Sequence, residues 1–517
     1  MAVEAGAVVA ADGVDKPNSD VASYAIKWTR VRDAIAGEAA VHGKNIAYLP
    51  KLRDEPDDEY KARRERTTWY NATARTHVGL HGMLFRKDPQ IVVPAGIESL
   101  LDDVTLTGVP FVNFVKEIGS EILGPGIAGV LIDHPQAPDL GATPLTVKIA
   151  ESMGLRPTMA LYKCETFLDW KFRRINNKWT LSQVRLKECV KQDKSEFEQN
   201  EIEQIRVLDL DIEAGDTYRV RLYRKDDHGR WVQYGPEVRP LMNNKPIGFI
   251  PFLFITCNGV VAELCKPPLN DLVDLNYKHY LVSSDYEHAC HFTALPTPWI
   301  AGMNAKIDPV TGKEIPQKMY IGSKTAWIFE NAEAKVGFLE YSGKGIDAIK
   351  ENLEGKEAQM AAVGARMLAP EKRGVEAADT IAMRHSGEQS VLSAIANALD
   401  LGAAKALEWF TLWAGQSGET DVDINKDFMP VTMDSATLTA LVSAWQSGGI
   451  SEEELFDELQ RGDVIKPEKT FIEHKTEIEN NPPMGVMAQQ ASIETMLNPP
   501  LDPNKQDAAN KKDTKVA

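Results

Sequence analysis

Gly124-Pro125-Gly126-Ile127-Ala128-Gly129 has the glycine spacing of a dinucleotide-binding turn. That turn works when a strand precedes it and a helix follows, so that the pyrophosphate rests on the helix N-terminus. Here the pattern reads helix first and strand second, and Pro125 removes an N–H that a phosphate cradle would use. Gly322-Ser323-Lys324-Thr325 lacks the adjacent Gly-Lys pair and the second glycine of a nucleoside-triphosphate loop. His288 and His291 are three apart on a predicted helix, with Cys290 between them. They could face one metal ion, but two ligands do not complete a site, so they read as a packed, hydrogen-bonded pair. Asp209 with Asp211, and Asp421 with Asp423, are carboxylates at strand spacing and read as surface acids at turns or edges. There is no GxSxG and no HExxH. Nothing supplies a nucleophile, its base and an oxyanion hole together, so the expectation is a protein that is not an enzyme, with no catalytic, cofactor-binding or metal-binding residues.

The five cysteines, Cys164, Cys189, Cys257, Cys265 and Cys290, are odd in number, irregular in spacing and form no CxxC. They predict a reducing compartment, without a disulfide framework or a structural zinc. The chain has 517 residues, too many for one core. Its net charge is −17, from 75 acidic and 58 basic side chains. A protein that grips phosphates needs a basic excess or patch, so tight static binding of nucleic acid is disfavoured. An acidic wall past which DNA slides is compatible with this balance. The start, Met1 to Ala11, carries Glu4 and no basic region, which makes a poor signal peptide. No run of 18 apolar residues occurs, so no membrane partner is expected.

The elements follow from periodicity. Residues 1–24 are small and polar and predict a loose arm. Helical patterns start near Tyr24 and at Thr67; the charged segment 51–66 between them reads as a solvated helix face. Phe111, Phe114, Val115 and Ile118 mark an amphipathic helix, and Gly129 to Asp133 a strand. Val184 to Val190 and Tyr218 to Tyr223 alternate as half-buried strands do. Asp226-Asp227-His228-Gly229 turns a hairpin back through Trp231. After Pro267-Pro268 comes a long helix to Phe292, then a strand-rich stretch over 299–341. A second long helix, 346–368, carries the stripe Ile346, Ile349, Leu353, Met360, Val363 and Met367, with Lys356 its one polar member. A charged loop, Glu371-Lys372-Arg373-Gly374, leads into a third long helix, from about Glu376 to Trp413. Its buried face is Leu392, Ile395, Leu399, Ala406, Phe410 and Trp413. Gly387 and Gly402 inside it each cost about 1 kcal/mol against Ala and permit a bend. Ser451 to Glu454 has the form of a capping box within a helical unit at 434–480. The proline- and lysine-rich residues 481–517 predict a disordered tail. The fold class is α+β.

Several segments resemble one subfamily of the portal proteins of tailed bacteriophages. They are Tyr70-Asn71-Ala72-Thr73-Ala74-Arg75-Thr76, Gly79 to Lys87, Gly129 to Asp133, Pro267-Pro268-Leu269-Asn270-Asp271-Leu272 and Glu376 to Thr380. The order of long helix, strand-rich insert, long helix, charged loop and long helix is similar too, and the resemblance spans roughly residues 25–480. It implies a portal fold: wing 25–265, first stem helix 266–292, clip 293–341, second stem helix 342–368, tunnel loop 369–375, long wing helix 376–415 and helical crown 416–480.

The resemblance also implies a ring of about twelve copies at one capsid vertex of a virion, assembled in the host cytoplasm. Double-stranded DNA would pass through it during packaging and ejection. Terminase, the head–tail adaptor, the major capsid protein and the scaffold would be its partners. Lys372 and Arg373 would then face DNA from the tunnel loop, making weak, renewable phosphate contacts; as a bare sequence they read first as an ordinary solvated loop between helices. Tyr320, Ile321, Trp327 and Phe329 have the aromatic and β-branched content of a clip strand pairing between subunits, or of a strand buried in its own subunit. Another structural virion protein, such as a minor capsid or head-morphogenesis protein, shares the composition but does not require the insert and charged loop.

Overall fold

The computed structural model describes residues 11–135, 153–243, 245–294, 297–302, 306–307, 309–312, 314–315, 333–339, 344–366, 391–426, 428, 435–462, 464–465 and 469–480. The chain forms two units, residues 1–426 and 427–517.

The first unit opens with α1 (Ser19–Ala36), α2 (Glu38–Gly43), α3 (Asp57–Arg66) and α4 (Ala72–Leu84). The edge strand β1 (Gln90–Val92) leads to α5 (Phe111–Leu123), whose Phe111, Phe114, Val115, Ile118 and Ile122 are all buried. The chain then turns at Gly126 (φ +93°) into β2 (Ile127–Asp133). β2 lies between β3 (Thr158–Lys163) and a later strand, β11 (Phe252–Thr256), both antiparallel to it. A strand covered on both faces reads as a continuous apolar run, as Ile127 to Ile132 does.

A second sheet runs in sequence order: β4 (Phe167–Ile175), β5 (Lys178–Asp193), β6 (Gln199–Asp211), β7 (Thr217–Lys225) and β8 (Trp231–Gln233). One face buries Val184, Leu186, Leu208, Tyr218 and Val220; the other carries the cluster Leu168, Ile205, Val207, Tyr223 and Trp231. Ala11 and Val14 pack on that cluster. Ala11 N–H donates to the Trp231 carbonyl (2.8 Å), and Arg185 donates to the carbonyls of Gly13 and Val14 (2.8 and 2.9 Å). The loose arm expected at 1–24 is therefore corrected. Residues 11–18 cover a sheet face, and α1 begins at Ser19, where Asn18 accepts from the Val21 N–H (2.8 Å). Residues 1–10 lie outside the described residues.

β9 (Leu241–Met242) and β10 (Lys245–Pro246) form a small hairpin. After β11 come α6 (Asn270–Ala294), β12 (Thr297–Ala301), the short pair β13 (Lys306–Ile307) and β14 (Glu314–Ile315), β15 (Lys335–Leu339), α7 (Lys344–Arg366) and α8 (Val391–Trp413). The predicted buried face of α8 is buried throughout. Gly402 serves a close approach. A Cβ there would stand 2.6 Å from the Ile255 side chain, so glycine lets α8 lie directly on β11. Gly387 is outside the described residues. β16 (Asp421–Asp423) pairs with β1, and Asp400 takes the Ile424 N–H (2.8 Å). Residues 416–426, grouped by the sequence with the helical unit that follows, belong instead to the first unit, where β16 pairs with β1.

The second unit contains α9 (Ser435–Gln446), α10 (Glu452–Arg461) and α11 (Phe471–Asn480). The expected capping box forms: Ser451 accepts from Glu454 N–H (3.1 Å), and the Glu454 carboxylate takes Ser451 N–H (2.7 Å). Phe456 packs on Phe471 and His474. The loop 369–375 and the tail 481–517 are outside the described residues.

Candidate functional site

α6 and α7 lie side by side. At about 1.5 Å per residue each is roughly 35 Å long. β12 leaves the end of α6, β15 leads into α7, and the two strands pair antiparallel from Thr297↔Leu339 to Ala301↔Lys335. The helices are therefore antiparallel, closed at one end by a two-stranded ribbon.

One face of α6 is held firmly by the helices before it. Asn276, fully buried, accepts from both the N–H (3.1 Å) and the hydroxyl (2.8 Å) of Thr73, and donates to the Tyr70 carbonyl (2.8 Å). Asn71 makes no side-chain cap at the start of α4, so Asn276 supplies one from another helix. The Tyr277 hydroxyl donates to the Arg30 carbonyl (3.1 Å), and its ring meets Tyr48 and Trp69 at 4.5 and 5.2 Å. Arg63 donates to the Ser284 hydroxyl (2.8 Å) and forms a two-pronged pair with Glu55 (2.7 and 2.8 Å). Those two side chains are only 3% and 5% exposed. The pair's hydrogen bonds hold the Glu55 carboxyl below its ordinary range. Segment 51–66, expected as a solvated face, thus carries a buried ion pair against α6.

Between the long helices, the His279 imidazole meets Glu357 of α7 (Nε2 to Oε1, 3.4 Å) and the Tyr70 ring (5.3 Å). Burial holds its pKa down, outweighing the pull of Glu357. α7 buries Leu353, Met360 and Gly364, while Asp347, Lys350, Glu351, Glu354, Ala358 and Ala362 face outward. The exposed side of α6 carries Asp271, Lys278, Leu281, Asp285 and Phe292. At the ribbon, Val336 and Phe338 are 46% and 55% exposed on one face, and Trp299, 44% exposed, lies on the other face over Gly337.

His288 and His291 do not come together as a hydrogen-bonded pair. Each packs on Phe292, at 4.6 and 6.1 Å. No cluster of three or more His, Cys, Asp or Glu that could hold a metal occurs among the described residues. Asp209 and Asp211 are not surface acids. They are buried in the five-stranded sheet and neutralised by Arg219, Arg221 and Arg239. The Arg239 guanidinium holds the Asp211 carboxyl below its usual range. Asp421 and Asp423 are exposed on an edge strand, as expected. No described helix is long and apolar enough to cross a membrane.

Lys372, Arg373, Tyr320, Ile321, Trp327 and Phe329 all lie outside the described residues. Sequence reasoning missed Asn276, Arg63 with Glu55, and the exposed Trp299, Val336 and Phe338. Val336 and Phe338 flank Gly337 at a period of two, which is the signal that could have found them.

A family described as a domain of unknown function (DUF4055) matches residues 268–414, which take in both long helices, the ribbon and α8. No curated protein matches the sequence. Solved structures with some likeness include chains of gene transfer agent (GTA) particles, all at 10% identity. A chain from the virion of the native particle has a TM-score of 0.35, covering 81% of this chain and 97% of that one. A chain from the neck of the empty particle, computed with C6 symmetry, has 0.36, covering 79% and 94%. A chain from the neck of the native particle, computed with C12 symmetry, has 0.36, covering 81% and 98%.

Proposed function

We propose that this chain is a structural component of a phage-like virion and, more specifically, one subunit of its portal ring. The observation that carries the reading is the antiparallel pair α6 and α7. It is fixed on one side by the α1–α4 helices and closed at one end by the β12–β15 ribbon, and among the described residues its other side is exposed. Its place in the chain matches the stem–clip–stem order that the sequence resembles. A subunit with one fixed and one uncovered side suits a head-to-tail interface, which closes into a ring when the rotation allows.

On this reading the helix pair lines a DNA conduit. Apart from histidines, α6 and α7 together carry eight acidic side chains against five basic ones. That balance repels phosphates and favours passage over grip. Lys372 and Arg373 would add sparse cations along the path. The ribbon end would meet terminase and later the head–tail adaptor, and the capsid protein and scaffold would surround the ring at the vertex. The chain would perform no catalysis of its own.

The test is native mass spectrometry with negative-stain electron microscopy on the purified chain. Closed rings are expected, near 690 kDa for about twelve copies of a 57.2 kDa chain. A monomer or dimer that also failed to assemble with its own capsid and scaffold proteins would overturn the portal reading in favour of another structural virion role.

A further inference from the structure

Cys257 and Cys265 bracket the loop between β11 and Pro267-Pro268, just before α6. Their sulfurs stand 2.9 Å apart, inside ordinary sulfur–sulfur contact. Both ends of the loop converge on one carbonyl. Cys257 N–H donates to the Gly126 oxygen (3.1 Å), and the Cys265 thiol donates to the same oxygen (3.2 Å). The loop between them is pinned. Thr256 N–H donates to the Gly259 carbonyl (2.9 Å), and the Trp170 indole N–H donates to the Ala262 carbonyl (3.0 Å). The backbone of the loop that carries the pair is therefore held in place.

The other cysteines lack this geometry. Cys164 is fully buried, and burial pushes its thiol far up; Cys189 is exposed on a strand beside Glu201, and its thiol is raised by local desolvation and then by that carboxylate. Cys257 and Cys265 are half-buried, within reach of a small reagent. The S–H of Cys257 points at the Cys265 sulfur, so that hydrogen bond brings the Cys265 thiol down to about 7 while Cys257 is pushed up. One sulfur is thus the better nucleophile and its neighbour holds the proton.

We infer that Cys257 and Cys265 form a redox-active dithiol, oxidised by a small-molecule disulfide of the glutathione class to an internal bond that locks the loop leading into α6. The Cys265 thiolate attacks one sulfur of the reagent, breaking its S–S bond and releasing one thiolate, which takes a proton from solvent. The Cys257 thiol then gives up its proton and attacks the Cys265 sulfur, expelling the second reagent thiolate, which is protonated in turn. The protein loses two electrons and two protons, and the reagent becomes two thiols. This holds whatever the chain assembles into.

The experiment treats the reduced full-length chain with oxidised glutathione, then counts thiols by alkylation under denaturing conditions and maps peptides. The expected result is a fall from five reactive thiols to three, a 257–265 linked peptide, a mass lower by two hydrogens, and full reversal by dithiothreitol. Cys257→Ser should trap glutathione on Cys265. Cys265→Ser should leave the reaction at Cys257 about tenfold slower or more, as the thiolate is lost. Five thiols still titratable, a stable glutathione adduct on the unmutated chain, or a bond joining any other two cysteines would each overturn the inference.

Discussion

Asn276→Ala isolates the joint between α4 and α6. The amide oxygen of Asn276 takes the Thr73 N–H at 3.1 Å and the Thr73 hydroxyl at 2.8 Å, and its nitrogen serves the Tyr70 carbonyl at 2.8 Å. Asn276 and Thr73 are both 0% exposed, so no water replaces what is removed. The Thr73 hydroxyl can rotate to another acceptor; the Thr73 N–H and the Tyr70 carbonyl cannot. Each buried group left without a partner costs about 1–3 kcal/mol, and the half-exposed Tyr70 falls at the low end. With the small void left by the amide, the sum is about 3–4 kcal/mol. A chain of two units has no single unfolding midpoint to read this from, so the assay must be local. Native-state hydrogen exchange over the peptide that carries Thr73 measures the opening of α4 directly. At about 1.4 kcal/mol per tenfold, exchange there should quicken roughly 100- to 1000-fold, with peptides of α10 in the second unit unchanged. An acceleration below about fivefold would refute the claim that Asn276 caps α4 from outside.

Arg63→Met should strand the Glu55 carboxylate in a buried site and cost about 3–5 kcal/mol, seen as rapid proteolysis within 51–66; Arg63→Met with Glu55→Gln should recover much of it. Gly402→Ala, which gains stability in an open helix, should here lower the first thermal transition, because the added methyl meets Ile255 at 2.6 Å; a loss of about 1–2 kcal/mol is expected. Burial lowers the pKa of His77 and of His279, so the unfolded chain takes up protons at a pH where the folded chain does not. Stability is then complete above the ordinary histidine value of 6.5 and declines as pH falls below it. Denaturation between pH 7.5 and pH 5.5 should show this loss, and His279→Gln, which keeps a neutral polar group opposite Glu357 and beside Lys356, should make the slope shallower.

The sequence was legible where one residue's neighbours along the chain decide its place. The stripe of α8, the alternation of β7 and the hairpin at Asp226 all depend on period alone, and all form as read. The capping box at Ser451 is legible for the same reason: donor and acceptor are three residues apart. It was illegible where the partner lies far along the chain. Asn276 and Thr73 are separated by 203 positions, and nothing near either residue announces the other. Asp209 and Asp211 looked like surface acids because their neutralising arginines sit on β7 and beyond it. Residues 11–18 have the composition of a loose arm, and their order comes from a sheet face that forms only once Leu168, Ile205 and Trp231 are brought together. Gly402 was legible as a cost but not as a contact, since Ile255 is on another element.

The distribution of contacts around α6 bears on why such a chain would need others like it. The first four turns are held by Asn276, Tyr277, Tyr280 and the Arg63–Ser284 bond, which fix their position independently of any partner. Beyond Ser284 no residue of α6 is fully buried, and Phe292, Trp299, Val336 and Phe338 are each about half exposed. A two-stranded ribbon is marginal in water by itself, and half-exposed apolar side chains on both of its faces favour cover from another chain. If the cover is the next copy, a single contact repeated by rotation protects every ribbon at once, and each subunit contributes to a closed ring without a second kind of interface. The firm half of α6 would then set the geometry of the ring, and the bare half would supply the attraction that closes it. Replacing Trp299 and Phe338 by serine should therefore weaken assembly while leaving hydrogen exchange over α4 unchanged, whereas Asn276→Ala should do the reverse at the level of the single chain.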